Sequence, residues 1–513
     1  MAHRMLCILG TTAALAILHS PSHAADWPQL QCDQGRSGRT SDEVRPRFRV
    51  RWVWYGPSLT VRNTLANASW TGVAISPGQV IAERTTVPVS VPFTFACGVQ
   101  PVVAGGTVFV GDMEGKLYAI AATDGALLWS ADIPGGTVAS AACGSGKVVV
   151  GTVSGAIRAF RASDGAAAGV ILARGPITAA PVTNGSVACV GSHDGHVYCM
   201  DLASGNQLWV SPYLGAGIAG SPAMDSTSVY VGAENMVFYA LRLTDGSVRL
   251  SRKVSGQSFY GLWPVVHAGR VYVETAPVPA VGSEYVGEEV MAAASSADDE
   301  QSRWADFLAG NGGYSGASTD WKHLTVLSTA DFAEPFAVPA GPFEGCGTPP
   351  EPPVVDNTGQ VLTYFKTKYV TFVKPSAFGT AYSLDISRVN QTTGRRAPID
   401  NGRTATEWFT WETDNCYGLG VGGSTLYLRQ AFRGTVCINL GTTESRLVSV
   451  AYSYQDGGNF ANADIIHAGN RDTGARIPQA AHPAFSGRVA PAVSGSTIFF
   501  TEEWCLVAAE HSP

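Results

Sequence analysis

The chain predicts an all-β, eight-bladed β-propeller, with seven blades as the alternative, closed by strands from its two ends and carrying loop insertions and one short helix. Three observations predict it. A motif repeats four times between Pro101 and Gly246. Its glycines recur in register, at Gly111, Gly151, Gly191 and Gly232 and again at Gly125, Gly165, Gly205 and Gly246, a period of 40, 40 and 41 residues. Finally, one unpaired strand stands near the start of the chain and an incomplete blade stands at its end. A period near forty with several short apolar runs marks a propeller array.

Each repeat reads as four strands. The runs TVFVG, KVVVG, SVACV and SVYVG are rich in Val, as buried strands require. Tight turns follow at Glu114-Gly115, Ser154-Gly155 and Asp194-Gly195, with Asn235-Met236 in the fourth repeat. A second alternating strand comes next (KLYAIAA, AIRAFRA, HVYCMDL, MVFYALR), then a DG or SG turn and a more exposed strand such as ALLWSAD or NQLWVSP. Such a four-stranded sheet hides its faces only against neighbouring blades.

The run A-x-D-x-x-[TS]-G-x-x-x-W resembles the pyrroloquinoline-quinone-like (PQQ-like) β-propeller repeat. That resemblance implies a Trp of the outer strand docked between blades, here Trp129 and Trp209, with departures at Gly169 and Leu250 and the Asp before the turn kept only at Asp201. The family is related in architecture to the outer-membrane assembly scaffold and to quinoprotein alcohol dehydrogenases. The repeat is specific for fold and says little about chemistry.

At the N-terminus, residues 1–24 read as an export signal: Arg4, the apolar run MLCILGTTAALAIL, then Ser22-His23-Ala24 before a cleavage point that leaves Ala25 first. The run is too short for a permanent membrane span, and no Cys stands in a lipobox. The expected location is periplasmic or extracellular, with no transmembrane segment after signal removal. Residues 25–47 form an N-terminal arm whose W-P-Q start and R-S-G-R-T stretch resemble the lead-in of many propellers of this family; an ordered arm clinging to the surface is the plain expectation. A single propeller domain takes up residues 48–513. FRVRWVWYG, residues 48–56, alternates as an outermost strand without a blade, and Pro491 to Glu510 supplies three strands that lack a fourth. Joining them closes the ring and removes two exposed edges.

Strand openings at Pro101, Ala141, Pro181, Pro222, Pro264, Pro353, Leu419 and Pro491 count eight blades, but the last three gaps widen to 89, 66 and 72 residues. Insertions are expected at about 57–96, 279–323, 400–415 and 440–470. The second holds the helix: Ser296 as cap, Asp298, Asp299 and Glu300 in the first turn, Trp304, Phe307 and Leu308 on one face, and Gly310 as the stop. Long loops on a rigid ring are usual places for binding, and aromatic groups gather there: Trp304, Tyr314, Trp321, Trp408 and Trp411.

Composition narrows the function. A net charge of −7 without a basic cluster excludes a nucleic-acid partner, and 58 Gly with only 15% charged residues suits a turn-dense protein. Nine of the ten Cys remain after signal removal, an odd count. Cys189 and Cys199 flank the Asp194-Gly195 hairpin nearly symmetrically and are the candidate disulfide. Quinoprotein alcohol dehydrogenases carry adjacent cysteines and a calcium-binding set of Glu, Asn and Asp; no two Cys are adjacent here, no C-x-x-C-H occurs, and no motif supports PQQ or calcium. His193 and His196 make an H-x-x-H on a hairpin tip, and Gly144-Ser145-Gly146-Lys147 lacks the helix a phosphate loop needs. The expectation is a monomeric, non-catalytic scaffold binding a protein, small-molecule or glycan partner, with no catalytic, cofactor or metal residues assigned. A degenerate quinoprotein oxidoreductase and a glycan-binding or glycan-processing propeller are the alternatives.

Overall fold

The computed structural model describes residues 25–45, 48–57, 60–62, 94–96, 98–276, 322–339, 352–370, 380–389, 391–392, 396–398, 416–430, 434–440, 447–449, 489–502 and 505–511. These form eight sheets, seven built around four consecutive antiparallel strands with the first innermost and the eighth around three C-terminal strands and one N-terminal strand, so the ring has eight blades and not seven. Blade 1 is Val102–Ala104, Thr107–Gly111, Lys116–Ala121 and Leu127–Asp132. Blades 2, 3 and 4 repeat it from Ala142, Val182 and Ala223. Blade 5 is split, its second strand ending at Val273 and its third starting at Lys322. Blades 6 and 7 begin at Val354 and Cys416. Blade 8 takes Ala492–Ser494, Thr497–Glu502 and Cys505–His511 from the C-terminus and Phe48–Trp54 from the N-terminus.

That last pairing runs antiparallel from Phe48 opposite His511 to Trp54 opposite Leu506, which closes the ring as the sequence predicts. Trp52 and Trp54 are fully buried there among Phe499, Phe500 and Val507. Residues 60–62, expected within a loop-like insertion, instead add a fifth strand outside Phe48–Trp54. Likewise Leu447–Ser449, within the expected insertion at 440–470, is the outermost strand of blade 7. No helix occurs among the described residues, and the helix expected after Ser296 lies outside them.

The repeated glycines have a steric cause. A Cβ at Gly111, Gly151, Gly191 or Gly232 would come within 2.2–2.5 Å of Thr137, Ile177, Ile218 or Phe259, the side chains that each following crossover drops onto the strand end. The second series answers to tryptophan. Trp52 of blade 8 lies against Gly125 of blade 1, Trp129 of blade 1 against Gly165 of blade 2, and Trp209 of blade 3 against Gly246 of blade 4. Each indole N–H donates to a carbonyl of the next blade: Ala122 at 3.1 Å, Ala162 at 3.0 Å and Leu243 at 2.9 Å. The departures are compensated. Gly169 lets the Gly205 turn approach backbone to backbone, and around Leu250 the side chains of Arg249 and Arg252 reach the Thr329, Ala330 and Phe332 carbonyls and Glu334.

The arm lies inside the ring rather than on the surface. It visits the innermost strands in order: Trp27 exchanges two backbone hydrogen bonds with Val103, Pro28 accepts from Cys143, and Gln29 brackets Thr183. Gln34, Gly35, Ser37 and Gly38 then accept from Met224, Val266, Val355 and Val421, and Asp42 accepts from Gly495. All eight blades are therefore tied to one segment. At its centre Arg36, fully buried, donates to the carbonyls of Leu30, Ala180, Pro181 and Pro222. Burial lowers its pKa to about 9, and Asp33 opposes the shift.

Candidate interaction face

Alternating strand direction gives the ring two unlike faces. Turns between first and second strands, and between third and fourth, open on one; second-to-third hairpins and the crossovers between blades open on the other. In blades 1 to 4 the hairpins of this crossover face are braced by the preceding crossover. Met113, Val153, His193 and Glu234 each donate a backbone N–H to Thr94, Gly136, Pro176 and Gly217. A rigid platform results.

Acids, Asp112 buried and Asp194 half-buried, stiffen the hairpin tips. Asp112 accepts the Gly115 and Lys116 amides on one oxygen and the Tyr118 hydroxyl on the other. Burial raises its pKa despite those bonds. In blade 3 Asp194 accepts from the Tyr198 hydroxyl at 2.7 Å and the Arg174 amide at 2.8 Å. There burial is the largest influence and acts upward, but the bonds from Tyr198, Arg174, His196 and Ser192 together hold the carboxyl below its usual value. The Tyr198 hydroxyl is correspondingly pushed up to about 12, by burial and by Asp194.

His193 and His196 do not converge. His193 Nε2 lies 2.8 Å from Thr178 Oγ1, while His196 Nδ1 faces the Ser211 carbonyl at 2.9 Å and its ring packs near Tyr198 and Tyr213. Among the described residues no group of three or more His, Cys, Asp or Glu converges on a point that could hold a metal ion. The ring axis, where the eight inner strands meet, is filled by Trp27, Gln31 and Arg36 of the arm together with Gln100, all buried.

Of the candidate binding residues, Trp304, Tyr314, Trp321, Trp408 and Trp411 lie outside the described residues. The strands that flank them do not. Residues 274–321 join the second and third strands of blade 5, and 399–415 join blade 6 to blade 7, so both segments leave from and return to the crossover face. The connections 340–353, 371–379 and 450–491 do the same. Described side chains on that face add apolar surface that sequence reasoning missed: Tyr213 is 62% exposed, Tyr260 58% and Met113 49%. The signal for the two tyrosines was crossover length, shorter after blade 1 (133–141) and longer after blades 3 and 4 (211–222 and 254–264).

Cys189 and Cys199 stand directly opposite each other in blade 3, both fully buried and both thiols. Ser192 donates to the His196 carbonyl and closes the hairpin with a hydrogen-bonded pair. The ladder alternates from there, which makes Cys189 and Cys199 a non-hydrogen-bonded pair, the closer kind.

These features define an eight-bladed propeller with a plugged axis and one elaborated face. A family model described as outer membrane protein assembly factor BamB matches residues 71–193, 173–252 and 193–322. Over those residues, 71–322, the chain belongs to the PQQ-like repeat family of propellers. Solved structures similar to it include BamB from Moraxella catarrhalis (12% identity, 81% of this chain and 97% of that one, TM-score 0.46). Others are the computationally designed Ika8 protein (10%, 81% and 96%, 0.49) and quinohemoprotein alcohol dehydrogenase ADHIIG from Pseudomonas putida HK5 (12%, 95% and 80%, 0.47). No curated protein matches the chain by sequence. No helix among the described residues is long and apolar enough to cross a membrane.

Proposed function

We propose that this chain is an exported, non-catalytic scaffold that binds a protein partner through its crossover face. The observation that carries the reading is the asymmetry between the faces. From blade 5 onward the connections 274–321, 340–353, 371–379, 399–415 and 450–491 of the crossover face are longer than 329–335, 390–395 and 440–446 of the turn face, and Tyr213, Tyr260 and Met113 are exposed on the former. The opposite face of blades 1 to 4 is spent on tight turns and on holding the arm. Aromatic groups are the residue types that anchor interfaces, and a platform braced hairpin by hairpin loses little freedom on binding. The match to an assembly-factor family agrees with a scaffold role. Export is supported by the charged, apolar and small-residue pattern of residues 1–24.

Deletion of residues 285–320 tests the reading. Partner capture is expected to disappear while the melting temperature stays within a few degrees. Purified protein mixed with PQQ and calcium is expected to bind no chromophore and to give no dye-linked oxidation of alcohols or sugars; stoichiometric uptake with turnover would establish the oxidoreductase alternative instead.

A further inference from the structure

The two ends of the arm meet. The backbone nitrogen of Ala25 donates to Asp42 Oδ2 at 2.7 Å, and the same carboxylate oxygen accepts the amide of Gly495 in the first turn of blade 8. One residue on from Ala25, Asp26 Oδ1 accepts the Gly105 amide in the first turn of blade 1, at 3.0 Å. Blades 1 and 8 are neighbours, and blade 8 is the one in which the two chain ends pair to close the ring. The contact between Ala25 and Asp42 therefore ties the start of the arm, on blade 1, to its end, on blade 8.

The chemistry of that contact depends on the chain ahead of it. With residues 1–24 attached, the Ala25 nitrogen is a neutral amide with one hydrogen. After cleavage at Ala24 it is an α-ammonium with three hydrogens and a full charge. The Asp42 carboxylate that it faces favours the cation over the neutral amide.

We propose that removal of residues 1–24 creates the counter-ion of Asp42, so that the α-ammonium of Ala25 locks the arm and the seam between blades 1 and 8 only in the processed chain. The proposal rests on the export reading. It assigns to cleavage a second effect besides release: the precursor keeps a weaker clasp, and the mature protein acquires a charge-assisted one.

Full-length mature chains with defined N-termini test it, one beginning at Ala25 and one extended by a single Ser, each with and without Asp42→Asn. In the chain beginning at Ala25, Asp42→Asn is expected to speed acylation of the α-amine at neutral pH roughly fivefold, the factor set by the upper range for a solvent-facing ion pair. It is also expected to lower the melting temperature more in that chain than in the Ser-extended one. Equal melting shifts in both chains together with an unchanged acylation rate would overturn the clasp while leaving export intact. A secreted product whose N-terminal sequence begins elsewhere than Ala25 would overturn the export reading beneath it.

Discussion

Trp129 of blade 1 rests on Gly165 of blade 2 and donates its indole N–H to Ala162 at 3.0 Å, so one side chain joins two sheets through both packing and a hydrogen bond. Gly165 holds φ at +72°, and a Cβ there would meet the indole at 2.6 Å. Trp129→Ala is expected to cost about 2–4 kcal/mol. Gly165→Ala should cost more with Trp129 present than in the Trp129→Ala background, and a double-mutant cycle by urea unfolding measures the difference. Additive effects would mean that the ring does not dock on the glycine.

Arg36 donates to the four carbonyls of Leu30, Ala180, Pro181 and Pro222 from a fully buried position. Arg36→Met keeps much of the volume and removes every donor, and is expected to destabilise the protein by about 3 kcal/mol or more. Arg36→Lys should recover only part of that, because an ammonium does not match the planar fork. Denaturant midpoints of the two variants check the order.

The carboxyls of Asp112 and Asp194 give opposite pH dependences. Asp112 is raised by burial, so its contribution is present at low pH and is lost as pH rises through the raised folded value. Asp194 is lowered by its hydrogen bonds against burial, so its contribution is present above the ordinary carboxylate value and is lost as pH falls through the lowered one. Above about pH 4, Asp112→Asn should therefore gain on the wild type as pH rises while Asp194→Asn keeps a constant deficit, and below about pH 4 the deficit of Asp194→Asn should shrink as pH falls. Urea midpoints on both sides of that pH that move in parallel for both variants would contradict the assignment.

Cys189 and Cys199 occupy a pair whose Cα separation is typically about 4.5 Å, within the span a disulfide accepts. Burial raises the Cys189 thiol well above its usual value, as does its neighbour Cys199, which disfavours the thiolate once the blade is folded. In an oxidising compartment the bond is expected to form during folding, through exchange with a disulfide-carrying oxidant. Unfolding in alkylating agent without reductant should yield the two peptides linked; recovery of both as alkylated thiols would refute it.

Blade architecture was legible because it is written locally and repeatedly: Gly111, Gly151, Gly191 and Gly232 are each demanded by a crossover side chain of the same blade. Closure was legible because Phe48–Trp54 alternates as a strand without a local partner, while Pro491 to Glu510 supplies three strands that lack a fourth. The arm was not. Gln34, Gly35 and Gly38 act through backbone carbonyls on strands hundreds of residues away in some cases, and no side-chain pattern records such bonds. Its buried Arg36 lay within the R-S-G-R-T stretch, visible as a motif but not as a plug. On the candidate face, the gathered tryptophans drew notice as departures from the repeat, whereas Tyr213 and Tyr260 sit in crossovers that differ from their neighbours only in length.

Site-specific photo-crosslinking in the intact cell envelope tests the central claim most directly. A photoreactive residue at Tyr213 or Tyr260, on the crossover face, is expected to give an adduct with one discrete protein, while the same residue at Ser145 or Asn184, on the turn face, gives none. Adducts from Ser145 and Asn184 but not from the two tyrosines, or none from any position, would contradict it.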